Sequence, residues 1–351
     1  MLRFVLTLLI IYGVLPPIVE AQTSWLDAPR TTSVRPAAKR FRAMWWNVEN
    51  LYDTLHDAGF DDREFLPTAE RRWDTYRYWR KQGDVAKIIV AAGGLQPVDL
   101  VGLCEIENDS VISHLLRRTR LARLGYEAIV TRSNDLRGID LALLYQPENF
   151  APFAHGQHEV PRDSLRERPT RPILHVAGRT MTADTLDILL AHFPSRRGGV
   201  TATEPYRLRA AQLAVQLIDS LAQCRQNLHV LMMGDLNDEP TDRSVRQVLG
   251  QRLHSLSAQA RPTPRKGNDD IEGTYYFQHR WSRIDHILVN APLLRTDHRL
   301  HTAPSHCHIF AFPLLLETNR LQGQQPRRTY RGTHYHGGVS DHLPLVVDFW
   351  Y

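Results

Sequence analysis

From Phe41 onward the chain alternates between short apolar runs and amphipathic stretches. Eight runs have the length and continuity of strands covered on both faces. They are "FRAMWWNV" (41–48), "VDLVGLC" (98–104), "IDLALLY" (139–145), "RPILHV" (171–176), "LDILLAHF" (186–193), "LHVLMM" (228–233), "IDHILVN" (284–290) and "LPLVVDFW" (343–350). Helical spacing predicts one helix from Thr75 to Ala92 and a second from Glu204 to Gln223. In the second, Thr203 is the candidate N-cap and Pro205 lies in the first turn. Ala210, Leu213, Ala214, Leu217, Ile218 and Leu221 share its apolar face. Strands interleaved with covering helices predict a layered α/β architecture.

The first residues follow a different pattern. Arg3, an apolar run from Phe4 to Leu15, and Val19-Glu20-Ala21 read as a secretory signal peptide (1–21) cut after Ala21. The run is too short to span a bilayer, so no transmembrane anchor is expected in the mature chain. Residues 22–40, rich in Thr, Pro, Ala and Arg, read as a flexible leader, and 41–351 as a single domain without repeats or long linkers. The mature protein is therefore expected in a periplasm or in the medium.

Hydrophobic residues at 42% and charged residues at 23% are ordinary for a soluble globular chain. The formal charge of +5 is a weak pointer to an anionic partner. Cys104, Cys224 and Cys307 permit at most one internal disulfide, and Cys104 reads as a small buried apolar residue.

Polar groups then change the picture by where they stand. Asn47 and Glu49 close the first run, Glu105 follows the second, His192 ends "LDILLAHF", and Asp235 and Asn237 follow "LHVLMM". Asp285 and Asp341-His342 instead precede their runs. One shared site needs four strands ending there and two beginning there, hence antiparallel pairs, which argues against an all-parallel sheet. Each group alone has an ordinary explanation, whether a Gly-Asp turn, a solvated strand end or a hydrogen-bonded core histidine. Their repetition at six apolar runs favours one site, because charge beside a buried strand is costly unless paired or metal-bound.

Several carboxylates without a Cys/His cluster suit Mg²⁺ or Mn²⁺, with Ca²⁺ a further candidate, rather than structural zinc. Two histidines can hold or accept protons near neutral pH, and asparagines can hydrogen-bond anionic oxygens. Together these are the parts for attack of water on a phosphate ester. There is no Walker-type phosphate loop and no G-x-S-x-G elbow.

"WWNVEN" (45–50), "LCEIEN" (103–108), "GIDLALLY" (138–145), "LLAHFPSRRGG" (189–199), "MMGDLNDEP" (232–240), "SRIDHILVN" (282–290) and "SDHLP" (340–344) resemble, in order and spacing, the endonuclease/exonuclease/phosphatase superfamily of deoxyribonuclease I. Their wording is similar to that of a secreted bacterial branch. The resemblance implies a four-layered α/β sandwich with two facing mixed β-sheets. It also implies Glu105 as principal metal ligand with Glu49, Asn47 and Asp341 in the metal neighbourhood. By the same resemblance, Asp235 is expected to orient or deprotonate water, Asn237 to contact phosphate, and Asp285–His342 to act as base or transition-state stabiliser. His192 is expected to protonate the leaving oxygen or stabilise its charge. Position 49 is Glu where several abasic-site endonucleases have Asp, and "FPSRRGG" is not shared with them. Arg196 and Arg197 read either as a phosphate clamp or as a solvated turn. "FDDREF" (60–65) reads as a charged surface loop or a second cation site, and the arginines of 162–172 as exposed strand flanks or as part of a nucleic-acid path.

The expected function is a secreted, divalent-metal-dependent phosphodiesterase, a nuclease acting on DNA or RNA. Phosphatase or lipid phosphodiesterase activity, on phosphoinositide or sphingomyelin, is the alternative. A catalytically inactive phosphate-binding module is the remote alternative, and no lost metal or base residue supports it. No stable protein partner is expected, and the chain reads as a monomer.

Overall fold

In the computed structural model the described residues are 39–351, apart from 165–166, 266, 269 and 320–322. The expected signal peptide and nearly all of the expected leader lie outside them. Lys39–Tyr351 forms one compact unit, and no helix among the described residues is long and apolar enough to cross a membrane.

Two large sheets form because the apolar runs pair edge to edge. In chain order the strands are β1 (Arg40–Leu51), β2 (Leu100–Ile106), β3 (Glu127–Val130), β4 (Asp140–Tyr145), β5 (Phe150–His158), β6 (Ile173–Thr180) and β7 (Thr185–His192). There follow β8 (Val230–Asp235), β9 (His254–Ser255), β10 (Arg261–Pro262), β11 (Tyr275–Phe277), β12 (Arg280–Ser282), β13 (Asp285–Val289) and β14 (Cys307–Ile309). The last are β15 (Leu316–Asn319), β16 (Gly323–Pro326), β17 (Tyr330–Arg331), β18 (His334–Tyr335) and β19 (Leu345–Trp350). The first sheet runs β10-β14-β19-β1-β2-β4-β3 and the second β5-β6-β7-β8-β13-β9; the other pairs are small hairpins.

Both sheets are mixed. β1–β2 and β7–β8 are parallel, whereas β1–β19, β2–β4 and β8–β13 are antiparallel. One core fills the space between the sheets, where Trp45, Leu190 and Met233 are buried, and extends to α1 (Thr75–Gly93) and α2 (Asp109–Arg118). A second core lies between β7–β8 and α3 (Val200–Cys224). Helices, sheet, sheet and helix make the four-layered sandwich. At Gly102 the sheets press so close that a Cβ would lie 2.9 Å from Trp45 and 3.0 Å from Leu190.

Two boundaries differ from the sequence reading. α3 starts at Val200, and its N-cap is Gly199, which offers no side-chain cap. Thr203 is instead inside the first turn, its hydroxyl donating to Gly199 O at 2.7 Å. β1 does not stop at the polar residues but continues through Asn47, Glu49 and Asn50 to Leu51.

Candidate active site

Sheet register alone aligns part of the site. His192 on β7 pairs with Asp235 on β8, and Asp235 pairs with Asp285 on β13. Three buried polar residues therefore stand side by side on adjacent strands. Gly234 is required by space rather than by turning: its Cβ would lie 2.6 Å from Ala191 O on the neighbouring strand. The turn comes later, at Asn237, whose φ is 52°.

The first sheet supplies its groups through a bulge. Asn47 pairs with Cys104, the register then breaks, and Leu51 pairs with Ile106. Three residues of β1 thus oppose Glu105 alone, and Glu49, Asn50 and Glu105 take φ values of 52°, 54° and 61°. Left-handed backbone at non-glycine residues is costly and concentrates where side chains must be aimed.

Hydrogen bonds join the two sheets. Asn47 Nδ2 donates to Asp235 Oδ2 at 3.0 Å, while its Oδ1 accepts from Glu49 N at 2.9 Å. Asn47 thereby links Glu49 to Asp235. Asn237 N donates to Asp235 Oδ1 at 3.0 Å, and Asn237 Nδ2 to Phe193 O at 3.1 Å. Asp285 is saturated: Trp45 Nε1 donates to Oδ1 at 3.0 Å, and Thr274 Oγ1 (2.6 Å) and His342 Nδ1 (2.7 Å) meet Oδ2. His342 Nε2 lies 3.9 Å from both Asp235 Oδ2 and Asp341 Oδ1.

Burial and neighbours push the titrating groups apart. Burial alone would lower the His342 pKa, but the Asp285 carboxylate, helped by Asp341 and Asp235, raises it to about 10. Burial and the nearby Arg171, Arg137 and His342 hold His192 well below the usual histidine range. Burial and the Asp285 charge raise Asp235 to about 7. For Glu105, burial is outweighed by Arg137, His342 and the Asn50 amide, and its pKa falls. At neutral pH His342 is thus a cation and His192 is neutral. A neutral buried imidazole among cations has a hydrogen bond with which to stabilise charge on a leaving oxygen, one of the two roles expected of His192.

Asp235, Asp285 and His342 are the group among the described residues whose ligand atoms lie within 4.8 Å of one another. With both oxygens of Asp285 occupied, this set works better as a hydrogen-bonded unit than as a metal cage. Glu105 is the more available ligand. Its Oε2 accepts from Asn50 N at 2.9 Å and lies 3.4 Å from Arg137 Nη2. Its Oε1 has no hydrogen-bond partner among the described residues. Glu49 and Asp341 are bridged by Arg328, which lies 3.5 Å from Glu49 Oε1 and 2.5 Å from Asp341 Oδ2. Hard anionic oxygens of this kind fit a divalent cation such as Mg²⁺.

A scan against family models matches residues 43–350 to the Endonuclease/Exonuclease/phosphatase family. The chain belongs to that family. No curated protein matches it in sequence. Among solved structures, a family protein from Bacteroides thetaiotaomicron is 16% identical with a TM-score of 0.58, covering 90% of this chain and 98% of that one. A mannosyl-6-phosphatase of the same organism is 15% identical with a TM-score of 0.57, covering 89% and 100%. Truncated TDP2 of Caenorhabditis elegans is 16% identical with a TM-score of 0.54, covering 89% and 98%. At these identities the likeness is one of fold.

In this family member the two arginines of "FPSRRGG" part company. Arg196 is engaged by Asn237 O, by Asp238 Oδ1 at 3.3 Å and by Asp242, so it braces the loop and is not free to clamp phosphate. Arg197 is exposed, its guanidinium has no partner among the described residues, and it lines a groove of about 960 Å³. Seven arginines line that groove, including Arg137, Arg168, Arg171 and Arg328, against Glu64, Asp135 and Glu167.

Several of these residues escape sequence reading. Arg171, expected on the surface, is buried, donating to Asp135 Oδ2 at 2.9 Å and Phe193 O at 2.7 Å. Lys81 is buried behind Glu49, donating to its carbonyl and to Thr329 Oγ1 at 2.8 Å. Beneath Asn237, fully buried Arg207 pairs with Asp238 Oδ1 at 2.7 Å. Their partners are remote in sequence, so no local signal marks them. "FDDREF" ends in a 3-10 turn (Arg63–Phe65) with Phe65 and Asp62 buried, and Asp62 binds the Asp57 amide at 2.7 Å and the His56 ring.

Proposed function

We propose that this protein is an exported, divalent-metal-dependent phosphodiesterase whose substrate is nucleic acid. The observation carrying this reading is the convergence of Glu105, Asp235 and the Asp285–His342 pair beside the arginine-lined groove. A cation held by Glu105, with Glu49 and Asp341 in support, would neutralise phosphate oxygens and stabilise the charge that develops on them. Asp235, with a pKa near neutrality, takes the proton of the attacking water. Asn47 and the Asn237 amide fix the Asp235 carboxylate through its two oxygens. Asp285 holds the His342 ring and keeps it cationic, so that His342 stabilises the charged phosphorane-like transition state. His192 stands beside Asp235, its Nε2 lying 3.7 Å from Asp235 Oδ2, where a neutral imidazole can give a hydrogen bond to the leaving oxygen. Arg197, exposed in the groove, attracts the anionic strand.

The test is hydrolysis by the purified mature protein, with Mg²⁺ or Mn²⁺ and then chelator, of single-stranded DNA, RNA, plasmid, sphingomyelin, phosphoinositides and mannose 6-phosphate. Chelator-sensitive cleavage of the nucleic acids is expected. Turnover of lipid or sugar monoester alone would replace this reading with one of the alternatives.

A further inference from the structure

The β11–β12 hairpin has a feature that hydrolysis of phosphate does not require. Its register pairs Tyr275 with Ser282 and Phe277 with Arg280, leaving Gln278 and His279 as a two-residue turn. Both turn residues have positive φ, 47° and 63°, in a position that favours Gly or Asn. The backbone is therefore bent at some cost, and the bend fixes the rings beside it. Tyr275 lies 4.7 Å from the His342 ring at 33°, and Phe277 lies 6.2 Å from Tyr275 at 16°. His342, Tyr275 and Phe277 form a ladder of rings running outward from the candidate site.

The outer rung is open. Phe277 is 52% exposed, and it lines a cleft of about 270 Å³ with Gln325, Arg328, Arg331 and Asp341. Arg328 also lines the large groove, as does Tyr275. The candidate site is therefore bordered by an arginine-lined groove and by a smaller cleft with an aromatic wall, the two meeting at Arg328. A phosphomonoester has a substituent on one side only; a phosphodiester has one on each.

We propose that Phe277 is a stacking subsite for a nucleobase of the strand being cleaved, in the cleft that shares Arg328 with the arginine groove. This rests on the nucleic-acid reading above and deepens it. An exposed ring held parallel to a second ring offers its face to a planar heterocycle at little entropic cost. A membrane is the poorer occupant, because the hairpin tip beyond Phe277 is Gln278, His279 and Arg280, all polar.

The test uses Glu105→Gln protein, to prevent cleavage, and a fluorescein-labelled single-stranded oligothymidine compared with an abasic oligomer of equal length. Anisotropy should show Phe277→Ala losing about 5- to 150-fold in affinity for the oligothymidine. The abasic oligomer should bind both proteins alike. Phe277→Leu, which keeps apolar bulk without a ring, should resemble the alanine variant, and Phe277→Trp should retain affinity. Equal losses for both oligomers, or no loss for either, overturn the subsite, as does Phe277-dependent binding to phosphatidylcholine vesicles with none to the oligomers. If wild-type protein cleaves nucleic acid while the Phe277 variants bind normally, only the subsite fails. If it cleaves no nucleic acid, the function beneath it fails.

Discussion

Glu49, Glu105 and Asn237 share a backbone conformation that few non-glycine residues adopt. Each such position costs on the order of 1–3 kcal/mol, which packing elsewhere must offset. The strain aims Glu105 with one oxygen uncommitted, whereas its neighbours are fully bonded. Glu105→Gln should therefore abolish metal-dependent turnover with little change in thermal stability, checked by steady-state rates beside a melting curve. Asp235→Asn should lower kcat by about 10³-fold or more, since coupled catalytic groups fail together.

The same residues set a pH profile. Asp235 must be ionised to accept a proton, so activity should fall as pH drops through about 7. His342 must be protonated to act as a cation, so activity should fall again as pH rises through about 10. A bell between these limits is expected in kcat/KM, and loss of the alkaline limb in His342→Gln would support the assignment. A limb near the ordinary histidine value, removed by His192→Ala, would instead make His192 the titrating catalyst.

At the scale of elements, Asp238, next to Asn237, is held by Arg207 of α3. Arg207 and Asp238 form an ion pair with no exposure to speak of, and Ser244 donates to Asp238 Oδ2 at 2.6 Å. Removing one partner leaves a buried charge, so Arg207→Ala should cost about 3–5 kcal/mol in urea unfolding. Arg207→Met combined with Asp238→Asn should recover part of that loss.

Elements also show what could be read from sequence. The continuous apolar runs made the strands legible, because burial on both faces leaves no polar alternation. β1 was read short because its apolar run ends at Val48, although pairing resumes beyond the bulge at Leu51. The start of α3 was hidden because Gly199 carries no capping side chain. The acidic, amide and histidine positions were visible beside their strands. Arg137, Arg171 and Arg328 are not distinguishable in sequence from other arginines, since the carboxylates they pair with are remote in the chain or lie on other elements.

At the scale of the molecule, the edges of two sheets meet, and neither holds the site alone: Glu49 and Glu105 belong to one, His192, Asp235 and Asp285 to the other. Opposed charges balance across that seam, with Lys81, Arg137, Arg171, Arg328 and His342 facing the carboxylates. Export belongs to this scale too. Mass spectrometry of the protein recovered outside the cytoplasm should give Gln22 as its first residue; an intact Met1 would remove the export reading.

The central claim is that water attacks phosphorus with help from Glu105 and Asp235. It is met most directly by cleaving an oligonucleotide in ¹⁸O-labelled water with Mg²⁺ and weighing the products. One ¹⁸O in the new terminal phosphate, lost with chelator and in Glu105→Gln, is the predicted result. Label-free products, or cleavage that persists undiminished in Glu105→Gln, would contradict it.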